Sequence, residues 1–441
     1  MNRLERLETL VAAARAAGAE AADALLISGT SLAVQWRLGK IEQLERSEGL
    51  DLGLRVLVGR QQAIVSATDA DPRGFQALAE RAVAMARAVP EDSFGGLGEY
   101  RPLVVRDLDL ADDAEPDADA LIARARLAEE AALAVPGITN SEGADASYSR
   151  TGIAIVSSNG FAGDYARTGH ATSVTALAGS GTGMERDYDH SSTVHLADLE
   201  DPAGLGRNAA ERALGRLNPA KPKTGKRDII FDPRVAGSLI GHLASALNGA
   251  AVARGTSFLR DRMGTRVLPA GLSLRDDPLR VRGLRSRPFD GEGMPGAPLA
   301  LVEDGILASW VLDWRSARQL GLASTGHASR SISGPPAPAT TNLWLEGGQG
   351  TAAALMADID DGIYVTEMIG MGVNGVTGDY SRGAAGFMIR NGQLAEAVSG
   401  ITIAGNLKDM FLGLRAAGDL RFRRGTDAPT LRVDGLMVAG A

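Results

Sequence analysis

The chain has 441 residues, 44% hydrophobic and 23% charged, with 46 Lys plus Arg against 54 Asp plus Glu for a net charge of −8. That length exceeds one ordinary core and points to more than one domain, while the acidic balance argues against a nucleic-acid footprint, which needs concentrated positive charge. The absence of cysteine removes disulfides, thiolate metal ligands and a thiol nucleophile.

Residues 2–18 read as an amphipathic helix with Leu4, Leu7, Leu10, Val11 and Ala14 on one stripe. Glu5, Arg6 and Glu8 interrupt its apolar residues, so it does not read as a signal peptide. No apolar run approaches the roughly 20 residues of a membrane span. A cytoplasmic protein without membrane contact is expected. Strands are predicted at 24–28, 32–45, 49–58 and 62–67, where alternation such as Leu50, Leu52, Leu54 and Val56 suits an antiparallel sheet with one buried face. Asp71-Pro72 opens a helix that runs to Ala88. Residues 90–117 are acidic and read as a long connection. An amphipathic helix at 118–135 stops at Pro136-Gly137. From 138 to 195 the pattern is again strand-like, with a hairpin turn at Ser158-Asn159-Gly160, and a helix follows at 203–217.

The run 217–227 has two prolines, four basic residues and no apolar stripe. It separates a first domain, 1–220, from a second, 221–441. Downstream come a strand at 228–231, a helix at 234–253, and strands at 299–303, 306–313, 363–368, 385–390 and 393–397. Asp304-Gly305 and Asn391-Gly392 sit between paired runs as hairpin turns, and 331–341 is a proline-rich rigid loop. The 55 glycines suit a strand-rich chain. The fold class is therefore α+β: an N-terminal domain of sheet and helices, then a mostly antiparallel, β-rich C-terminal domain.

Common catalytic signatures are missing. Lys223-Thr224-Gly225-Lys226 lacks the first glycine of a phosphate loop, and Gly179–Gly183 is followed by no helix, so it reads as a hairpin tip. No G-x-S-x-G elbow occurs. His190 and His195, near Asp187 and Asp189, resemble a metal cluster on paper. Five residues apart on a strand, the two rings face opposite sides and meet only across a turn. His170 and His327 stand alone. Glu367 sits in an apolar strand, and Asp379 beside Arg382 reads as an ion pair fixing a hairpin. The arginine-rich stretch 260–287 is interrupted by Asp261, Asp276 and Asp277 and reads as solvated surface.

The strings GTSFLRDRMG, FDGEGMPGAPLALVEDGILASWVLDWRSARQLGLASTGHASR, VTGDYSRGAAGFMIRNGQL and ITIAGNLKDM closely resemble the TldD/PmbA family. The likeness spans nearly the whole chain and falls in the TldE (PmbA) branch. It implies a heterodimeric TldD–TldE zinc metallopeptidase in which the TldD branch carries HExxxH on a helix, then Leu-Glu-Gly and an Arg-Gly-Thr-Ser-like string, with a later cysteine. Zinc would there polarise a carbonyl and activate water, with the glutamate as base. Matching Leu247-Asn248-Gly249 and Gly255-Thr256-Ser257 to those strings places the motif's His, Glu and His on Ile240, Gly241 and Ser245. The resemblance thus implies a chain with no catalytic residue and no metal of its own, zinc residing in a TldD-type catalytic partner, and unfolded peptides such as antibiotic precursors and antitoxins as substrates. His242, Asn248, Arg254, Thr256 and Ser257 become cleft candidates. A homodimer in isolation is compatible with this. The alternatives are an independent regulatory or binding protein of gyrase-modulator type, or a stand-alone hydrolase with an unrelated site near His190 and His195.

Overall fold

A computed structural model describes residues 2–103 and 106–440. Helix α1 (Arg3–Ala16) begins in a capping box: the Asn2 side chain accepts from the Glu5 N–H at 2.9 Å, and Glu5 reaches back to the Asn2 N–H at 2.8 Å. Strands β1 (Ala21–Arg37), β2 (Lys40–Val58) and β3 (Gln61–Ala67) then form a meander. The strand expected at 32–45 is in fact the end of one strand and the start of the next. The chain reverses at Leu38 and Gly39, whose φ angles are 46° and 80°. Leucine is a poor residue for a left-handed turn, so the apolar alternation ran straight through the reversal.

Helix α2 (Phe75–Ala88) follows, then the long connection at 90–117, of which residues 104 and 105 lie outside the described ones. Helix α3 (Ala118–Leu133) leads into β4 (Ile138–Ser157), β5 (Ala162–Ala178) and β6 (Glu185–Thr193), and α4 (Pro202–Gly215) closes this part. The six strands make one antiparallel sheet in the order β3-β2-β1-β4-β5-β6. All four helices cover one face. Leu7, Leu10, Ala79 and Val83 pack on Leu26, Leu52 and Leu54, and Ala128 and Ala209 pack on Ala146 and Val174. Many contacts are alanine on alanine, which lets helices lie close to the sheet. Gly206 is closer still: a Cβ there would stand 2.1 Å from the Ala128 carbonyl oxygen.

The second half starts with β7 (Gly225–Phe231), α5 (Pro233–Ala246) and α6 (Gly249–Ala253). It continues through β8 (Ser273–Asp276), β9 (Leu299–Glu303), β10 (Ile306–Leu307), α7 (Trp314–Leu320), β11 (Ala328–Ser329), β12 (Ala337–Pro338) and β13 (Leu343–Glu346). The last stretch holds α8 (Ala352–Met356), β14 (Asp361–Ile369), β15 (Asp379–Arg390), β16 (Gln393–Asn406), α9 (Leu407–Leu412), β17 (Arg415–Ala416), β18 (Thr426–Asp427) and β19 (Leu431–Ala439). One sheet runs β16-β15-β14-β7-β19-β17 and closes on itself, because β16 also pairs with β19 from Thr402–Ala439 to Ala404–Met437. Closure removes the open edges that a flat sheet would present. A second sheet runs β10-β9-β8-β13-β18.

The α+β expectation with a β-rich C-terminal part holds. Pairing is less uniform than expected, since β14 runs parallel to β7 and β13 parallel to β18. The helix expected over 234–253 is two helices, and the strand expected over 306–313 ends at Leu307. Asp379 and Arg382 form no ion pair: Asp379 bonds Thr377 and Asn406, while Arg382 donates to the Gly370 carbonyl at 2.8 Å.

The face of the first sheet opposite its helices is covered by the second half. Leu25 and Ile155 meet Phe161 and Phe289 there. Beside them the Asp23 carboxylate, with its side chain 3% exposed, accepts from Arg55 Nε at 2.9 Å and from the Arg330 guanidinium, 307 residues away. Burial acts to raise the Asp23 pKa, but the charges of Arg330 and Arg55 outweigh it and hold the carboxyl below its ordinary range. Asp23→Asn leaves two buried guanidiniums without a counter-charge. It should lower unfolding stability by about 3–5 kcal/mol in urea denaturation, whereas a loss under about 1 kcal/mol contradicts this account of the contact.

Candidate functional site

Asp232-Pro233 starts α5: the Asp232 side chain accepts from the Arg234 N–H at 2.8 Å, and proline occupies the first turn, where its missing N–H costs nothing. The apolar positions Val235, Ala236, Leu239, Ile240, Leu243 and Ala246 fall on one face and are buried in the C-terminal core. The opposite face carries small residues. Gly237 lies against β18, where a Cβ would stand 2.7 Å from the Thr426 carbonyl oxygen.

The helix breaks at Asn248. Its Oδ1 accepts from the N–H groups of Ala250 and Ala251 at 3.0 and 3.2 Å, capping α6, and its Nδ2 donates to the Pro338 carbonyl at 2.8 Å. Gly249 permits the break to sit flush against the 311–312 segment, because a Cβ there would meet Leu312 Cδ2 at 2.3 Å and the Val311 oxygen at 2.8 Å. Such an N-cap inside an apolar run is invisible to hydrophobic periodicity, which explains the single helix expected there.

The small-residue face of α5 lines a cleft of about 380 Å³ with Gly241, Ala244, Ser245 and Asn248 on one side and Arg285, Val311, Ala339, Thr340 and Thr426 on the other. Gly241, Ser245 and Asn248 are spaced four and three apart and so share a helical face. Of the motif positions, Gly241 and Ser245 face the cleft, while Ile240 is fully buried in the core. Of the five cleft candidates, Asn248 lines it. Ser257 is buried, with its hydroxyl donating to the Ala246 carbonyl at 2.6 Å, so it braces the helix end. Thr256 is exposed and donates to the Ala251 carbonyl at 3.1 Å, and Arg254 is exposed at the end of α6. His242 points elsewhere, its ring meeting Tyr380 edge-on at 5.9 Å. Burial first, then the charge of Arg382, holds this imidazole below its ordinary pKa.

Sequence reading missed Arg285, Ala339, Thr340 and Thr426. Arg285 belongs to the arginine-rich stretch 260–287, whose interrupting aspartates suggest solvated surface, but its Nη1 donates to Thr426 Oγ1 at 3.1 Å. Ala339 and Thr340 lay in the proline-rich loop, whose pairing of β11 with β12 brings them to α5.

The lining side chains offer hydroxyls, an amide and one guanidinium, none of them a carboxylate or imidazole. The side chains of Ile240 and Gly241 carry no lone pair, so the matched motif positions do not fit a zinc ion. Among the described residues no group of three or more His, Asp or Glu side chains is placed to hold a metal. At the other suspected site, Asp187 is engaged by Arg234 at 2.7 Å and Asp189 by Asn208 at 3.0 Å. His195 turns away from His190, toward Asp109 at 3.1 Å. Glu367 pairs with Arg216 across the two halves of the chain.

Three family domains match in succession: PmbA/TldA metallopeptidase domain 1 at residues 22–86, the central domain at 111–217 and the C-terminal domain at 224–440. The chain is 36% identical over 436 residues to metalloprotease PmbA of Escherichia coli O157:H7, covering 98% of this chain and 94% of that protein. The chain belongs to the PmbA/TldD metallopeptidase family. A PmbA homolog of Haemophilus influenzae is 35% identical over 430 residues, 96% of this chain and 93% of that one, which places the chain on the PmbA side of the family. The fold matches a crystal structure from Bacteroides thetaiotaomicron, labelled a modulator of DNA gyrase, with a TM-score of 0.90 at 26% identity over 99% of this chain and 98% of that one. It also matches TldE from Thermococcus kodakarensis, with a TM-score of 0.88 at 19% identity over 99% and 100% of the two chains. No helix among the described residues is long and apolar enough to cross a membrane.

The state of His242 gives a pH dependence. Its folded pKa lies below the ordinary 6.5, so as pH falls from that value the unfolded chain takes up the proton first and stability is lost. Between about pH 7.5 and pH 5.5 the melting temperature should fall less for His242→Gln than for the wild type. An equal fall in both contradicts the neutral, half-buried imidazole.

Proposed function

We propose that this chain is the TldE-type, non-catalytic subunit of a two-chain zinc peptidase that degrades unstructured peptides. The observation carrying this reading is the face of α5. Where the TldD branch is expected to present histidine and glutamate, this chain presents Gly241 and Ser245 to an open cleft and buries Ile240 in the core. The helix and its flanking strings are present, while the positions matched to ligands and base carry side chains that neither bind zinc nor move a proton. Zinc and the water-activating base belong to a TldD-type partner.

The retained cleft suits a role in holding peptide. Its hydroxyls and the amide of Asn248 offer hydrogen bonds to an extended main chain, and no lining carboxylate repels an acidic segment. Association with another chain is supported by exposed apolar side chains in two places. Leu38, Ile41 and Leu44 cluster at the tip of the β1–β2 hairpin, and Ile369, Met371 (85% exposed) and Val376 between β14 and β15. A homodimer in isolation would use the same surfaces.

The test is reconstitution. Mixing the purified chain with the HExxxH-bearing chain from the same genome should give a stable complex that cleaves an unfolded peptide. Chelation should abolish that activity, and each chain alone should be at least about tenfold less active. No complex and no gain in cleavage would refute the subunit reading. Co-purification with gyrase in the absence of a TldD-type chain would favour an independent binding protein instead.

A further inference from the structure

A second cavity, of 320 Å³, lies where the C-terminal half covers the back of the first sheet. Its two walls differ in kind. One is apolar: Leu25 and Ile27 of β1, Ile153 and Ile155 of β4, with Tyr165 and Phe289 at the side. The other carries four guanidiniums, from Arg167, Arg285, Arg287 and Arg330. The one carboxylate in the lining, Asp290, is already occupied, accepting from the N–H groups of Glu292, Met294 and Ala328 at 2.9 Å each.

The arginines are under-used. The Arg330 side chain is 1% exposed, and only its Nη1 is engaged, on Asp23. Its Nε and Nη2 are buried without a hydrogen-bond partner among the described residues, and so are Nε and Nη2 of Arg287. Burial pushes the Arg330 guanidinium below its ordinary pKa, opposed by the charge of Asp23. Buried donors are almost always paired, and a guanidinium presents its Nε and one Nη as a planar fork that matches the two oxygens of a carboxylate. Two side chains with such unpaired donors, among the residues lining one cavity that also has an apolar wall, suit a ligand that is anionic at one end and apolar at the other. The volume is at the lower end of small-ligand sites.

We infer that this cavity binds the free α-carboxylate of a peptide whose last residue is apolar, the carboxylate on Arg287 and Arg330 and the side chain against Ile27 and Ile153. The cavity adjoins the α5 cleft, because Arg285, Ala339 and Thr340 line both. A peptide end held here leaves the preceding residues at the cleft. The site is complete within this chain; its assignment to a peptide end rests on the peptide-holding reading of the α5 cleft, and not on the two-subunit reading.

The test is calorimetric titration of the full-length chain alone with acetyl-Ala-Leu, its C-terminal amide, free leucine and inorganic phosphate. The acid should bind, and the amide at least about tenfold more weakly, the loss of a charge-assisted hydrogen-bonded pair. Arg287→Gln, which removes Nε and Nη2 donors that have no hydrogen-bond partner among the described residues, should keep the native circular dichroism spectrum and weaken the acid by about tenfold or more. Acid and amide binding alike, no binding of the acid at about 10 mM, or an unaffected Arg287→Gln variant each overturn the inference. Phosphate binding as tightly as the acid would mark a bare anion site, and free leucine binding as tightly an amino-acid site. Either overturns the assignment to a peptide end. Because the titration needs no partner, its failure leaves the subunit reading intact, and failed reconstitution leaves this one intact.

Discussion

The arrangement of this molecule depends on one buried carboxylate. Asp23 sits on β1, on the face of the first sheet that its own helices do not cover, and it is shared by Arg55 from the neighbouring strand and Arg330 from the second half. A sheet whose back carries Leu25, Ile27, Ile153 and Ile155 would expose a continuous apolar surface unless something packed on it. The second half does so, and the ion triad fixes where. A lone buried charge is costly, so the two halves meet in the register that pairs Arg330 with Asp23. The arginine-lined cavity lies at that junction, and the loop carrying Arg330, between β11 and β12, runs on to Ala339 and Thr340 at the α5 cleft.

The α5 cleft separates scaffold from chemistry. The N-terminal Asp232-Pro233 cap, the apolar face buried in the closed sheet and the Asn248 break all serve position, and all are present. What the cleft lacks is any group with a pKa near neutrality or a lone pair suited to zinc. A helix kept with this much geometric detail is consistent with a surface that still meets peptide or partner.

Much of this was legible in the sequence, and the exceptions share a cause. Amphipathic helices such as α1, α2 and α3 announced themselves because their buried stripes repeat with helical period. The hairpins at Asp304-Gly305 and Asn391-Gly392 did so because those residues accept positive φ, 45° and 78° in the first and 48° and 76° in the second. The family strings were equally plain. Three features stayed hidden: the turn at Leu38, the helix break at Asn248, and the pairing of Asp23 with Arg330. Apolar alternation ran on through the first two, and nothing local marks the third, which joins residues 307 apart. The same holds for the site. Gly241 and Ser245 were placed by matching a motif, but Arg285 and Thr340 reach the cleft only through tertiary packing, and no spacing in the chain encodes that.

The central claim is that the metal chemistry of the family resides outside this chain. The most direct measurement is the zinc content of the purified chain after dialysis against a zinc-containing buffer, by plasma emission spectroscopy. The account predicts less than about 0.1 zinc per chain, because no lining group of the α5 cleft supplies a ligand set. One zinc per chain, retained through gel filtration and lost with Ser245→Ala, would contradict it.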